Sequence, residues 1–394
     1  MSLLTILGFG QTGWGGLLLA GAMMTLAVTI SALIVGAIVG SLVAWAKLSR
    51  NLGWRLFGDA YTTVFRGVPE LLIIYLIYFG GSLWVSWIGT LLGAQGFLGR
   101  LLAHRLSVSG LGTNPEQWGL SSVLFAALQL RDAPGALTIG TTHGVATHPH
   151  RSADLASDLD AIAADVATTL PVGSSAGGEQ PKFLAVRAVD SQHVLVKFTP
   201  PHGTPFGERW HDLLVCEHLA GKTLARHGIA SATSHIVESR KRSYLVSERF
   251  DRIGASGRRH VISIGEAHAV FVAGAFNGWG LSAEALAGQR RLSKPDVLHA
   301  HSLQHFGRLI GNSDMHSGNL ALFVALSTKP RFSLAPAYDM LPMRWRPDAS
   351  LGGNPDFSPF EVDTIAGSCP ARAIAYEFWG ELAGDTRVSK ELRS

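Results

Sequence analysis

The sequence predicts an α+β domain preceded by two transmembrane α-helices. Three observations carry that prediction. Two long apolar runs fall within the first hundred residues. Alternating apolar segments between Phe183 and Phe250 read as strands, because successive strand side chains point to opposite faces. A helical region then leads through HAHSLQHFGRLIGN into a polar turn rich in Asn, Ser, Asp and Gly.

The chain has 394 residues, enough for two or three domains. Hydrophobic residues make up 47% and charged residues 16%, an excess of apolar character concentrated near the N-terminus. The net charge of +4 is mild, and no Lys/Arg tract is interleaved with aromatics, so direct nucleic-acid binding is not expected. The run SRKRSY at 239–244 reads as a solvated turn. Cys216 and Cys369 make neither a disulfide framework nor a CxxC site, which favours a reducing compartment for the C-terminal part. His143, His148 and His150 cluster around Pro149 without Cys or carboxylate partners and read as a loop.

In chain order, Gly15–Ala46 carries no charged residue and exceeds the roughly 20 residues that cross a bilayer as a helix. It is too long for a signal-peptide core. Gly36 and Gly40 form a GxxxG, either a close-approach face or simple tolerance of small residues. The basic stretch Lys47–Arg55 reads as a cytoplasmic loop. Leu71–Leu92, interrupted by Gly80 and Gly81, is the second span, with Tyr75, Tyr78, Trp84 and Trp87 suited to an interfacial belt. Membrane contact is therefore expected through residues 15–92. Residues 97–132 read as short helices, ALTIG as a strand, and Ala153–Thr169 as a helix burying Leu155, Leu159, Ile162 and Val166. The predicted division is 1–96 membrane segment, 97–172 helical and linker subdomain, 173–260 N-lobe and 261–394 helical C-lobe.

The chemistry-bearing residues lie in the second half. Asp314 and Asn319 stand five apart in LIGNSDMHSGNL, the Asp-x₄-Asn spacing of a phosphotransfer loop, where the Asp accepts a hydroxyl proton and the Asn holds a metal ion. Asp339 in LAPAYDMLP supplies the downstream carboxylate that such chemistry needs against nucleotide phosphates. Lys197, near the end of the alternating HVLVKF, is placed to reach those phosphates. Upstream, GSSAGGEQPKF makes a Gly/Ser loop, with Gly177 and Gly178 able to present backbone N–H groups to phosphate; it is not a Walker A sequence. Glu217, on the helix LLVCEHLAGKTLARHG, is a candidate to orient Lys197. The end of SYLVSERFDR offers a hinge for adenine. A short motif of turn residues is often only a turn, so it is the order of lysine, Asp-x₄-Asn and Asp that carries weight.

Two resemblances follow. The phrases TLAVTISALIVGAIVGSLVAWAKLSRN and YTTVFRGVPELLIIYLIYFG resemble the opening of polar amino-acid ABC transporter permeases of the histidine/opine type, FRGVPEL being the most specific string. This covers about residues 1–95 and implies the bacterial inner membrane. That family continues with further helices and a coupling loop, and neither is read after residue 96. The strings SSAGGEQPKF, HVLVKF, LVSERFDR, LIGNSDMHSGNLAL and LAPAYDMLP resemble the HipA-type serine/threonine kinases, and GFLGRLLAHRL with APGALTIG points to their YjjJ-like branch.

The second resemblance implies a bilobed protein-kinase-like fold that uses ATP and Mg²⁺. It implies Asp314 as catalytic base, Asn319 and Asp339 as Mg²⁺ ligands, Lys197 on the ATP phosphates and Glu248, Arg249 and Phe250 along the adenine hinge. Ser175, or the adjacent Ser174, is the implied autophosphorylation site. His316 reads as a packing residue of the loop. The implied partners are a protein substrate, in some members an aminoacyl-tRNA synthetase, and an antitoxin. A cytoplasmic loop at Lys47–Arg55 followed by one more span puts residue 97 onward outside, away from ATP; either the second run is re-entrant, or the orientation differs, or the chain is a fusion made by deletion or rearrangement, the preferred account. The competing expectation is a transporter component with a non-catalytic kinase-fold appendage.

Overall fold

The computed structural model describes residues 15–49, 51–67, 96–129, 132, 135–136, 150–151, 155–169, 180–325, 327, 329–348, 353–361 and 370–393. The chain divides into two compact units, Met1–Leu83 and Trp84–Ser394. In the first, α1 spans Gly15–Leu48 and α2 spans Leu52–Gly67. The Thr29–Leu48 part of α1 is long and apolar enough to cross a membrane, with mean hydropathy 2.0. The second expected span, Leu71–Leu92, lies outside the described residues. The basic loop is shorter than the Lys47–Arg55 stretch expected from charge. Residues from Leu52 onward are already helical, and a Lys47–Asp59 ion pair at 3.0 Å and Trp45 against Trp54 at 5.9 Å join α2 to α1. Reading that stretch by its charge alone concealed its helical periodicity.

In the second unit the alternating segments pair as strands. β1 (His150–Arg151), β2 (Lys182–Val186), β3 (His193–Phe198), β4 (Ser234–Glu238) and β5 (Ser243–Glu248) form one sheet in the order β1-β2-β3-β5-β4. Lys182 stands opposite Lys197 in the antiparallel β2–β3 pair, and Lys197 opposite Leu245 in β3–β5. The two-residue period then sends Phe183, Ala185, Val194 and Val196 to one face and Leu184, Leu195 and Lys197 to the other. The first face is covered by α3 (Gly96–Leu106) and α5 (Ala156–Thr169), which bury Phe97, Leu101, Leu159, Ile162 and Val166 against it. The segment before residue 173 therefore shares a core with the strands. Leu155, expected in that core, precedes the helix and is exposed. Between α3 and α5 lies α4 (Leu120–Gln129).

Thr204 caps α6 (Pro205–Arg226) by accepting from Gly207 N–H at 3.1 Å, and Pro205 opens the helix, where a missing N–H costs nothing. This helix supplies Leu213, Val215, Cys216 and Leu219 to the large C-terminal core, with Cys216 as a buried free thiol. That core is helical: α7 (Ile264–Phe271), α8 (Trp279–Gly288), α9 (Lys294–Leu309), α10 (Ala371–Gly384) and the short α11 (Lys390–Arg393). Phe306 of α9 meets Phe378 of α10 edge-on at 5.9 Å. A two-residue ribbon, β6 (Arg252–Ile253) with β7 (Gly257–Arg258), leads to a small sheet of β8 (Val261–Ser263), β9 (Ala321–Ala325) and β10 (Arg331–Leu334).

His218 of α6 is buried, with Nδ1 at 3.1 Å from Ser234 Oγ. Burial, aided by Arg387, lowers its pKa to about 4. The folded state therefore resists a proton that the unfolded chain accepts near 6.5. The stability contributed by neutral His218 is complete above about pH 6.5 and lost as pH falls toward 4. His218→Gln is expected to flatten the decline of melting temperature over that window, by an equivalent of at most about 3 kcal/mol. A melting curve of unchanged pH dependence refutes this assignment.

Candidate active site

Lys197 leaves β3 on the face opposite the Phe183 cluster and meets two carboxylates. Its Nζ donates to both oxygens of Glu217, at 2.7 and 2.6 Å, and to Asp339 Oδ1. The Asp339 N–H in turn donates to Glu217 Oε1 at 3.3 Å. The Lys197 and Glu217 side chains are only 7% and 9% exposed. Burial opposes the charge on Lys197, but Asp339 and Glu217 outweigh it and hold the ammonium above its usual pKa. Burial also works against the Asp339 carboxylate, yet Lys197 and Lys182 hold it at about 2. Glu217 is raised by its burial and by the charge of Asp339, against the pull of Lys197.

Asp339 takes a positive φ of 54°, a conformation that Asp tolerates better than most residues. Asn312 holds that backbone, donating from Nδ2 to Asp339 O at 3.0 Å. The same side chain accepts from Asp314 N–H through Oδ1 at 3.0 Å, so one amide bridges the two aspartate segments. Asn312 is buried, and Asn312→Ala leaves both backbone groups without their partner. The expected cost is about 2–3 kcal/mol in chemical denaturation; a loss below half of that contradicts the bridge.

The loop itself starts where Gly311, at φ 74°, turns the chain out of α9; a Cβ there meets the Phe360 ring at 3.1 Å. Asn319 Nδ2 donates to Asp314 O at 2.7 Å, closing the Asp-x₄-Asn segment on itself. His316 accepts from Gly318 N–H through Nδ1 at 3.0 Å, and its carbonyl accepts from Trp279 Nε1 at 3.0 Å. Tyr338 OH donates to Gly318 O at 2.9 Å, tying the segment before Asp339 to this loop.

Lys197, Glu217, Asp339 and the connection Glu248–Phe250 line one cavity of about 350 Å³. At the end of β5, Glu248 N–H donates to Thr233 O at 2.8 Å and Arg249 N–H to His193 O at 3.0 Å, so both amides of this expected adenine hinge are engaged within the protein. The Glu248 carboxylate pairs with Arg187 at 3.3 Å. Phe250 stacks obliquely on Tyr338, with centroids 5.8 Å apart. Arg249 is buried in ion pairs with Asp132 and Asp251. Gly177, Gly178, Ser174 and Ser175 lie outside the described residues. From the sequence Asn312 reads as an ordinary turn residue and Asp132 as the start of a turn, while Asp251 and Arg252 carry no assigned role. The alternating charges of ERFDR at the end of β5 were the available signal.

Among the described residues no group of three or more His, Cys, Asp or Glu stands ready to hold a metal ion. Asn319 and Asp339 each carry a side-chain oxygen, the donor type that Mg²⁺ takes, and that ion needs only one or two protein oxygens beside water and phosphate.

A strand lysine paired to a helix glutamate, with an Asp-x₄-Asn loop and a downstream aspartate, is the order of groups that phosphoryl-transfer sites of the kinase class use. The model of the HipA-like C-terminal domain matches residues 174–382, and the chain belongs to that family. It is 34% identical over 327 residues to Toxin YjjJ of Escherichia coli (strain K12), covering 78% of this chain and 72% of that one. The N-terminal part is similar to a different group. It is 52% identical over 96 residues to the nopaline transport system permease protein NocQ of Agrobacterium fabrum, 24% of this chain and 41% of the permease. It is 39% identical over 140 residues to the octopine permease protein OccQ of Rhizobium meliloti, 36% of this chain and 56% of that one. The chain thus spans only part of either permease. A solved HipA of Shewanella oneidensis MR-1, in complex with HipB and its operator DNA, aligns with a TM-score of 0.47 at 17% identity, over 72% of this chain and 74% of that one.

Proposed function

We propose that this chain is a HipA-like serine/threonine protein kinase that transfers the γ-phosphate of ATP to a protein hydroxyl. The observation that supports it best is Lys197, buried between Glu217 and Asp339 in the wall of the cavity. Phosphoryl transfer asks a protein for positioning and charge neutralisation more than for covalent chemistry. Lys197 places a fixed positive charge where phosphate oxygens approach, and Glu217 keeps its ammonium oriented. Asn319 and Asp339 would hold Mg²⁺, which when bound neutralises phosphate charge. The Asp314 carboxylate aligns the acceptor hydroxyl and takes its proton. The segment after β5 receives the adenine ring, Phe250 offering an apolar face.

Ser175, or Ser174, is the proposed autophosphorylation site. An aminoacyl-tRNA synthetase is the proposed substrate class, carried over from the family resemblance alone, and an antitoxin protein is the proposed partner, in line with the name of the E. coli relative. The proposed location is the bacterial inner membrane, through α1, with the kinase unit needing the cytoplasm for ATP. The competing reading, an amino-acid transporter component with a non-catalytic appendage, draws on a likeness to 41% of one permease. The deciding experiment follows label from γ-labelled ATP with Mg²⁺ on the full-length chain in detergent, with phosphoserine mapping. Label on Ser174 or Ser175 is expected. A folded wild type that binds ATP and transfers nothing overturns the kinase reading.

A further inference from the structure

Four charged side chains are packed together beside the cavity. Arg249 donates to Asp132 Oδ2 at 2.5 Å and to Asp251 Oδ2 at 2.8 Å. Arg252 donates to Asp251 Oδ2 at 2.7 Å and to Asp132 Oδ1 at 3.1 Å. Their side chains are between 2% and 11% exposed. Gly135 adds backbone bonds, its N–H to Asp251 Oδ2 at 2.8 Å and its carbonyl from Arg252 Nη1 at 3.1 Å. Gly135 has φ 72°, and a Cβ there meets Val261 O at 3.3 Å, so the approach needs glycine. Asp132 and Gly135 themselves line the cavity, as do Arg249, Phe250 and Asp251.

Burying such a cluster about breaks even against apolar packing, so its value lies in the geometry it fixes. Two planar guanidinium forks between two carboxylates admit one arrangement. Arg249 is the residue so fixed, and it stands between Glu248 and Phe250. From Phe250 the contacts continue to Tyr338, and from Tyr338 to Gly318 O of the Asp-x₄-Asn loop.

We infer that Asp132 is a positioning residue for the nucleotide: by holding Arg249 and Arg252 it sets the Glu248–Phe250 connection against which an adenine ring is received. The inference rests on the kinase reading above. It assigns part of the nucleotide site to the segment that precedes the kinase strands. Disturbing Asp132 then weakens nucleotide binding more than it slows the chemical step.

The test uses the full-length chain in detergent and the fluorescent nucleotide mant-ADP, with steady-state kinetics in ATP alongside. Asp132→Asn removes the charge. Asp132→Glu keeps the charge, and with it the fold, while displacing the two guanidinium groups. Mant-ADP Kd is expected to rise at least tenfold in Asp132→Asn and at least threefold in Asp132→Glu, with KM for ATP rising in step and kcat falling less. Wild-type Kd and KM in folded Asp132→Glu, accompanied only by a lower melting temperature, overturn the inference and leave the kinase reading standing. A wild type that binds no mant-ADP overturns both.

Discussion

Asp314→Asn is expected to lower phosphate transfer by about a thousandfold or more while leaving the melting temperature within a degree or two, as general-base removal does. The structure explains why this substitution separates chemistry from stability. The structural bonds of Asp314 run through its backbone: its N–H donates to Asn312 Oδ1 at 3.0 Å and its carbonyl accepts from Asn319 Nδ2 at 2.7 Å. Asn has the same shape and the same backbone, so both bonds persist. What is lost is a carboxylate able to take the acceptor proton, because the neutral amide that replaces it accepts a hydrogen bond through its oxygen but is not basic enough to keep a proton. The measurement is single-turnover transfer from γ-labelled ATP, with mant-ADP binding as a control. Transfer within tenfold of wild type, in a folded variant that binds nucleotide normally, removes Asp314 from the catalytic role.

The parts of the site legible in the sequence are those carried by local spacing. Asp314 and Asn319 close a loop within five positions of each other, and the alternation of HVLVKF fixes which face Lys197 occupies. Glu217 was accessible by analogy of order, since it lies on the first long helix after the lysine strand. The Asp132–Arg252 pairing was not legible. Its members are 120 positions apart, and nothing in the local pattern around Asp132 marks it as buried. Residues 97–172 gave a similar difficulty. Their helical periodicity was visible, but that Phe97, Leu101 and Leu159 bury against Phe183 depends on a tertiary pairing without local signature. Lys47, Arg50 and Arg55 suggest a loop, whereas the recurrence of apolar residues three and four positions apart between Leu52 and Gly67 favours a helix with two unlike faces.

Lys197→Met is expected to lower stability by about 3–5 kcal/mol at neutral pH and to remove phosphate transfer as well. Met fills much of the volume, so the loss is not a cavity effect; it comes from the two carboxylates left behind. Glu217 and Asp339 both face the vacated position, and the Asp339 N–H bond to Glu217 keeps their segments together. In the wild type one ammonium serves both, and Asp339 stays ionised down to about pH 2. A carboxyl whose folded pKa is depressed contributes stability that is complete above its unfolded value, near 4, and lost as pH falls through 2. The variant lacks that contribution at every pH. The gap between wild type and Lys197→Met should therefore be widest at neutral pH and narrow as the solution is acidified from about pH 4 toward 2. Adding Glu217→Gln to Lys197→Met removes one of the two unpaired charges and should recover roughly half of the lost stability without restoring transfer. Urea denaturation of the three proteins at several pH values tests all of this. A gap independent of pH, with no recovery in the double variant, shows that Lys197 acts through packing and that its ion pairs contribute little.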